Sequence, residues 1–389
     1  MNIISPDDLD YVEIREAVRA ICGKFRPEYW RQKDKEEAYP TEFIEALTAA
    51  GFLGALIPEE YGGTGLPLRA AAVILEEICA TGCVAAPGHA QMYIMGTLLR
   101  HGSEAQKERY LPGIASGELR LQAFGVTEPT SGSDTTSIKT FARKTAGGYI
   151  VNGQKVWTSR AEHSDLMLLL ARTTKLEDVQ KRSEGISVFL VDLRTAKKSG
   201  LEIHPIEAMV NHHTTEVFIE NLFIADDCLI GEEGSGFRYI LDGMNAERVL
   251  TSAEGVGTNR WFIEKATDYA NERVVFGRPI GKNQAIQFPI ARAFVQGRAA
   301  DLMVRRAAEK FDNKQPCGPE ANMARLLASE AGWEAAEACL QVYGGFGFAR
   351  EYDIERRWRE ARLARTAPVS TNLILSYVAQ HVLGLPRSY

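Results

Sequence analysis

The feature that most constrains this chain is a change in the spacing of its apolar residues, which occurs twice. Up to about residue 120 they recur every three or four positions, as in amphipathic helices. Short β-rich runs with Gly and Asn-Gly turn signals follow, and helical spacing resumes at Phe237. Because no helices separate the short strands, the middle section is expected to be an antiparallel barrel or sandwich. The sequence therefore predicts an α+β chain with helical, β and helical domains at residues 1–120, 121–232 and 233–389.

Local signals set the expected ends of several elements. Ser103 and Gln106 have the spacing of a capping box, so a short helix should start there and end near Pro112. Asn152-Gly153 is expected to be a turn between two short strands. Three long helices are predicted after Gly236, and long helices side by side suggest a bundle, which often supports oligomerisation.

Composition excludes several classes of protein. The 389 residues include 45 Lys and Arg against 51 Asp and Glu, a formal net charge of −6, so no basic balance indicates a nucleic-acid partner. The longest apolar runs are far shorter than the ~20 residues of a membrane-spanning helix. The acidic start of the given sequence does not predict a secretory signal, and six scattered cysteines fit a reducing compartment. The expected location is the bacterial cytoplasm or, in a eukaryote, the mitochondrial matrix.

Motifs of several common enzyme classes are absent. No G-x-G-x-x-G follows a strand, and the sequence has no P-loop, no G-x-S-x-G and no H-E-x-x-H. Cys79 and Cys83 are one helical turn apart, but no second ligand pair follows, so no metal site is expected.

Two segments carry residue types that suit a phosphate-bearing heterocycle. GVTEPTSGSD (125–134) offers hydroxyls and a Gly-Ser turn whose N–H groups could cradle a phosphate, although such a run is usually only a turn. Trp157-Thr158-Ser159 places an aromatic plane beside two hydroxyls, although a core Trp is the ordinary alternative. QVYGGFGFAREYDIERRWRE (341–360) has glycines that permit close approach of helices, and its Arg/Glu ladder could be a solvated face.

GVTEPTSGSD and QVYGGFGF-x-x-E-x4-R-x3-E resemble the two signature motifs of the acyl-CoA dehydrogenase family. PEEYGG (58–63), KVWTS (155–159), GEEGSGF (231–237) and ERVVFGRPIGKNQ (272–284) resemble further family segments in the same order, so the resemblance covers essentially the whole chain. It implies an N-terminal α-helical domain, a central antiparallel β-barrel and a C-terminal four-helix bundle. The family is usually tetrameric, which implies a homotetramer built as a dimer of dimers.

The resemblance also implies an FAD site. The positions that match the family's contacts to the flavin and its phosphates are Phe124, Val126, Thr127, Gly132, Ser133, Trp157 and Ser159. The positions that match the adenine-pyrophosphate contacts across a subunit interface are Arg273, Phe276, Gln284, Gln341, Gly344 and Gly345. Near the chain end, Ser370 and Asn372 match positions beside the flavin, and the expected acyl-CoA contacts are Ser133, Phe237 and Arg248.

The reaction implied is α,β-desaturation of an acyl-CoA thioester. A carboxylate removes the α-proton, a hydride leaves the β-carbon for flavin N5, and the electrons pass to an electron-transfer flavoprotein. Because a thioester Cα–H is weakly acidic, the base needs a desolvated site with a raised pKa, and the carbonyl oxygen needs hydrogen-bond donors.

The expected base departs from the commoner family pattern. Most members carry the catalytic Glu in a Y-E-G-T-like run, but here the matching run is APVST (367–371), with Pro368 at the Glu position. A minority, including isovaleryl-CoA and long-chain acyl-CoA dehydrogenases, carries Glu on a helix just before an Arg. This chain has Met244-Asn245-Ala246-Glu247-Arg248 there, so Glu247 is the expected base.

Pro368 has a second consequence, because the family uses the N–H at this position to polarise the thioester carbonyl and proline has none. Either the N–H of Val369 or the FAD ribityl hydroxyl must serve instead. Two alternatives stay open: an oxidase or monooxygenase on the same fold, and a catalytically silent flavin-binding or assembly protein. Residues 89–95 are candidates to line the acyl pocket, but no chain-length preference follows from them.

Overall fold

The structure is a computed structural model that describes residues 10–387. Contacts divide the chain into two compact units. Unit 1 contains residues up to Glu36, Pro67–Ala85 and the chain from Asn245 onward; unit 2 contains Glu37–Leu66 and Ala86–Met244. This division differs from the predicted boundaries at residues 120 and 232, which remain a prediction.

The described residues form α-helices and β-strands joined by short 3-10 turns. The helices are α1 (Val12–Cys22), α2 (Pro27–Lys35), α3 (Thr41–Ala49), α4 (Leu68–Ala80), α5 (Ala86–His101), α6 (Glu104–Ser116), α7 (Leu193–Ala196), α8 (Gly236–Glu272), α9 (Gln284–Asp312), α10 (Gly318–Tyr343), α11 (Ile354–Leu363) and α12 (Thr371–Tyr377). The strands are β1 (Leu121–Gly125), β2 (Phe141–Thr145), β3 (Gly148–Ser159), β4 (Leu166–Arg172), β5 (Ile186–Asp192), β6 (Leu201–Pro205), β7 (Thr214–Ala225), β8 (Leu229–Ile230), β9 (Val274–Val275) and β10 (Arg278–Pro279). The predicted order of helices, strands and helices is confirmed.

Some predicted ends of elements are confirmed and others are wrong. The capping box of α6 is present, with the Gln106 N–H donating to Ser103 Oγ at 3.2 Å and the Ser103 N–H donating to Gln106 Oε1 at 3.0 Å. However, α6 continues through Pro112 and ends only at Gly117, whose φ of 81° suits a helix C-terminus. The expected turn at Asn152-Gly153 is a register shift inside the continuous strand β3.

Unit 2 contains a single eight-stranded sheet. Its strand order is β6-β7-β3-β2-β4-β5-β8, with β1 beside β4. Most neighbours are antiparallel as predicted, but β1–β4 and β2–β4 are parallel pairs, which the sequence pattern does not predict. The connection between β1 and β2 is long, which allows β1 to pair with β4 instead of with its neighbour in sequence. That connection, which follows β1, contains the GVTEPTSGSD motif.

The core of unit 2 centres on β4, where Leu166–Ala171 are fully buried on both faces of the strand. A strand covered on both sides reads as a continuous apolar run instead of an alternating one. Tyr149 on β3 packs against Phe189 on β5, with their ring centroids 5.0 Å apart. This rigid sheet supports the loops at its strand ends.

Unit 1 is a helical unit whose long helices pack closely. The Asn259 side chain on α8 donates from Nδ2 to the carbonyls of Ala293 on α9 and Ala331 on α10, both at 2.9 Å. Small residues allow this approach: a Cβ at Gly255 would lie 2.8 Å from the Ala328 carbonyl oxygen. The predicted helical C-terminal part is therefore confirmed, and α8 and α10 are held in a fixed register.

Two features are absent from the described residues. None of the helices is both long and apolar enough to cross a membrane. Within residues 10–387, no group of three or more His, Cys, Asp or Glu side chains could hold a metal ion.

Candidate active site

The loop that follows β1 is anchored by a buried ion pair. Lys155 on β3 donates from Nζ to Glu128 Oε1 at 2.8 Å and to the Val126 carbonyl at 3.0 Å. The Glu128 carboxylate also accepts the N–H groups of Lys139 at 2.6 Å and Thr140 at 2.9 Å. These contacts tie the GVTEPTSGSD loop to the sheet. The family resemblance assigns no role to Glu128 or Lys155. Glu128 nevertheless lies in the GVTEPTSGSD motif and Lys155 in the KVWTS motif.

The electrostatics of this pair follow from its surroundings. Burial would raise the pKa of Glu128, but the Lys155 charge and the hydrogen bonds outweigh it and hold the pKa below its usual value. Burial lowers the pKa of Lys155 to about 8, and Glu128 opposes that shift. The pair is therefore a structural anchor in which the carboxylate stays ionised.

Trp157 is presented to solvent by an irregularity at the end of β3. The β3–β7 register shifts between Lys155 and Thr158, and Trp157 has a φ of 60° with 59% of its surface exposed. The ordinary alternative, that Trp157 is a core residue, is therefore wrong. The neighbouring Thr158 is buried and its hydroxyl has no hydrogen-bond partner in the described part of the chain, while Ser159 is half-buried.

The other expected site residues of unit 2 lie at the surface or just below it. Gly132 and Ser133 are exposed, and no atom lies within 4 Å of the place a Cβ on Gly132 would occupy. Phe124, Val126, Thr127 and Phe237 are half-buried. The loop thus offers an open, polar surface.

In unit 1, Glu247 is a buried carboxylate without a hydrogen-bond partner. It lies on α8 with only 6% of its surface exposed. Its carboxylate accepts no hydrogen bond from residues 10–387. Burial raises the pKa of Glu247 to about 7, although the positive charges of Arg248 and Arg325 act in the opposite direction. A desolvated carboxylate with these properties is suited to proton transfer near neutral pH.

Two arginines accompany Glu247. Arg248 donates from Nη1 to Asn245 Oδ1 at 3.1 Å on the same helix. Arg325 on α10 is 1% exposed and donates from Nη2 to the Ala367 carbonyl at 2.7 Å and to the Ala364 carbonyl. Sequence reasoning missed Arg325. Its signal is an arginine on the alanine-rich face of a predicted helix, where a charge must have a buried partner.

The turn before α12 contains Pro368, as the sequence indicates. The Val369 N–H donates to no other residue among positions 10–387. Ser370 caps α12, because its Oγ accepts the Leu373 N–H at 3.3 Å, so one of its lone pairs is already used. Asn372 is exposed in the first turn of α12.

The remaining expected FAD residues of unit 1 are all exposed. Phe276 stands at the tip of the two-residue β9–β10 hairpin and is 98% exposed. It has a φ of 51° and Gly277 a φ of 73°, as a type I′ turn requires. The guanidinium of Arg273 lies 5.7 Å from the Phe346 ring centre. The other exposed members are Gln284, Gln341, Gly344 and Gly345.

These features fit a flat aromatic cofactor that carries phosphates. Trp157 and Phe276 are both largely exposed, so their aromatic rings are accessible for stacking on a flat ligand. Gly132, Gly344 and Gly345 have open space where side chains would stand, so a ligand can approach their backbone. The residues present are therefore compatible with FAD in each unit taken separately.

Comparisons with known proteins place the chain in a family. The profiles described as the N-terminal, middle and C-terminal domains of acyl-CoA dehydrogenase match residues 9–118, 123–222 and 234–383. The chain belongs to the acyl-CoA dehydrogenase family. It is therefore an oxidoreductase, and FAD is its cofactor.

Individual relatives span nearly the whole chain. "Acyl-CoA dehydrogenase FadE12" of Mycobacterium tuberculosis is 33% identical over 381 residues, which are 97% of this chain and 96% of the relative. A glutaryl-CoA dehydrogenase in complex with glutaryl-CoA superposes with a TM-score of 0.90 at 30% identity, covering 98% and 97% of the two chains. A structure of PigA with FAD and proline has a TM-score of 0.90 at 26% identity, over 98% of this chain and all of that one.

Proposed function

We propose that this chain oxidises an acyl-CoA thioester to the 2-enoyl-CoA, with Glu247 as the base that removes the α-proton. The observation that carries the proposal is the state of Glu247: buried, accepting no hydrogen bond from the described residues, with its pKa raised to about 7. Such a carboxylate is partly ionised at neutral pH and holds an abstracted proton more firmly than an exposed glutamate does. Arg248 on the same helix is proposed to contact the substrate.

The thioester oxygen needs donors as negative charge develops on it. Pro368 has no N–H, so the Val369 N–H is our proposed donor, since no described residue accepts a hydrogen bond from it. One such donor is worth about 3 kcal/mol of barrier in comparable sites. Val369 itself is buried, which suits a donor shielded from water.

Bound FAD supplies the acceptor for the β-hydride. For its flavin end we propose, in unit 2, Phe124, Val126, Thr127, Gly132, Ser133, Trp157 and Ser159. In unit 1 we propose Ser370 and Asn372 as flavin contacts. For its adenine-pyrophosphate end we propose Arg273, Phe276, Gln284, Gln341, Gly344 and Gly345. Ser133 and Phe237 are proposed to lie along the CoA arm. The exposed rings of Trp157 and Phe276 support these assignments.

The proposal includes a homotetramer. Phe288, Val295 and Leu302 lie seven residues apart on α9, and each is at least 60% exposed. Apolar residues at this spacing form one stripe along a helix, and an exposed stripe of this kind favours contact with another chain. A second copy would cover it.

The proposed electron acceptor is an electron-transfer flavoprotein, and the proposed role is in β-oxidation of acyl-CoA. The proposed compartment is the bacterial cytoplasm or the mitochondrial matrix, which fits the free thiols of all six cysteines.

Anaerobic stopped-flow mixing tests the proposal. The yellow holoenzyme is mixed with butyryl-, octanoyl-, isovaleryl-, glutaryl- and 3-phenylpropionyl-CoA, and the flavin absorbance is followed. We expect at least one thioester to bleach the flavin and to leave a product two hydrogens lighter by mass spectrometry. No bleaching by any of them would contradict the proposal, and turnover that requires O2 would favour an oxidase or monooxygenase.

A further inference from the structure

One buried arginine of unit 1 has a position that the proposed reaction does not yet explain. Arg325 on α10 is 1% exposed, yet its Nε and Nη1 have no hydrogen-bond partner among the described residues. We propose that Arg325 is a positioning residue for this reaction: it fixes the Ala364–Ala367 turn and keeps the Glu247 carboxylate ionised. This inference rests on the proposed function of Glu247 as the base.

The geometric part of the argument concerns the turn before α12. Arg325 Nη2 donates to the carbonyls of Ala367, at 2.7 Å, and Ala364. Ala367 is followed directly by Pro368 and Val369, so the guanidinium holds the backbone that leads to the proposed donor N–H. A charged donor to a carbonyl forms a stronger hydrogen bond than a neutral one and fixes this segment accordingly.

The electrostatic part concerns the charges that face one another in this region. Arg325 faces Glu254, Glu247 and Arg248, and Glu247 faces Arg248 and Arg325. Burial lowers the pKa of Arg325 to about 10, so it remains a cation at neutral pH. Because Arg325 makes no hydrogen bond to Glu247, it can favour the ionised carboxylate without blocking the oxygens from a substrate proton.

Arg248 is the other cation near Glu247, and its own surroundings differ. It faces Glu247, Tyr377 and Cys317, and it is tied to Asn245 on its own helix. Arg248 therefore has no hydrogen bond to the 364–367 turn. Of these two cations, only Arg325 both donates hydrogen bonds to the turn and acts electrostatically on Glu247. Its substitution is therefore the informative one.

Two substitutions vary the charge at position 325 while each keeps a hydrogen-bond donor. R325Q keeps an N–H donor but removes the charge, and R325K keeps the charge. The measurements are the pH profiles of flavin bleaching and of α-deuterium loss from a C2-deuterated acyl-CoA into water, using the thioester that bleaches the wild-type holoenzyme fastest. Flavin content and melting temperature of each holoenzyme report folding.

In R325Q we expect both profiles to move to higher pH by about one unit, because a cation near the base is lost. The rate at pH 7 should fall about fivefold for a base whose pKa starts near 7, and it should recover at pH 9. R325K should keep the wild-type profile. An unmoved profile in R325Q or a shifted profile in R325K would each overturn the inference. A pH-independent loss of rate that accompanies the shift in R325Q is the expected result of a weakened contact to the turn.

E247Q separates failure of this inference from failure of the proposed function. If E247Q still removes the α-deuterium, Glu247 is not the base and the proposed function fails. If E247Q is inactive while folded R325Q keeps the wild-type profile, only the role of Arg325 is wrong.

Discussion

Glu128 in unit 2 and Glu247 in unit 1 have nearly the same exposed fraction, 5% and 6%, but their pKa values move in opposite directions. Glu128 is contacted by one ammonium group and two backbone N–H groups, and its pKa lies below the usual value. Glu247 has no hydrogen-bond partner among residues 10–387, and its pKa rises to about 7. Burial alone thus does not decide the protonation of a carboxylate; the donors that reach it do.

The same difference separates the two proposed roles. A carboxylate whose lone pairs are occupied cannot accept a substrate proton without breaking those bonds, and it serves as an anchor for a loop. A carboxylate that is buried with free lone pairs is costly to the fold and available for chemistry, which is the usual character of active-site residues.

The largest effect that would test this contrast is the loss of the proposed base. E247Q should slow anaerobic flavin bleaching by about 10²–10⁴-fold, the range that a general base contributes. FAD content should not change, because the substitution is nearly isosteric. E264Q, at an exposed glutamate of the same helix, is the matched control and should bleach at the wild-type rate. An E247Q rate close to wild type would assign the base elsewhere.

Breaking the Glu128–Lys155 ion pair should lower the stability of the protein instead of its rate of flavin bleaching. K155M leaves Glu128 buried without its cation, and removing one partner of a buried ion pair typically costs about 3–5 kcal/mol. The urea midpoint of the holoenzyme should fall, and FAD should be lost at lower urea than in the wild type. K175M removes the exposed Lys175–Glu177 pair of the same unit and should leave the midpoint almost unchanged. Equal midpoints for K155M and wild type would show that the pair does not anchor the loop.

The sequence predicted secondary structure elements correctly where the apolar periodicity is strong. The three long helices predicted after Gly236 are present as α8, α9 and α10, since a 3.6-residue repeat over more than 20 residues is a strong helix signal. It failed at Pro112 and at Asn152-Gly153, because packing and sheet pairing override local turn signals. The parallel β1–β4 pair could not be predicted, since strand order depends on contacts between distant segments.

The candidate site shows the same limit. Glu247 could be located in the sequence, because the family resemblance places a glutamate just before an arginine there. For Arg325 the alanine-rich helix face signals burial but not its contacts, which join α10 to a turn about forty residues later. The ion pair of Glu128 with Lys155 likewise depends on the register of β3 beneath the loop. These roles depend on contacts between residues that are distant in sequence, and the spacing of residues along the chain does not predict such contacts.

The smallest expected effect is the dependence of stability on the Glu247 proton. In an unfolded chain this carboxyl has a pKa near 4.5, whereas in the folded protein it is about 7. The folded state therefore holds the proton more tightly, and ionisation destabilises it progressively as the pH rises from 4.5 to 7. At pH 8 the penalty is about 3 kcal/mol, and below pH 4.5 it vanishes.

E247Q carries no ionisable group, so it should be more stable than wild type at pH 8 and equally stable near pH 4.5. The measurement is the difference in urea midpoint between the two holoenzymes across this range, because all other titrating groups cancel in that difference. E247Q also removes the negative charge that faces Arg325, and this loss will reduce the stability advantage of E247Q at high pH. It cannot make that advantage increase as the pH falls. A difference that is constant with pH would mean that Glu247 titrates in the folded protein as it does in the unfolded chain. A difference that shrinks as the pH rises would mean that Glu247 is paired, and in either case the contrast with Glu128 would disappear.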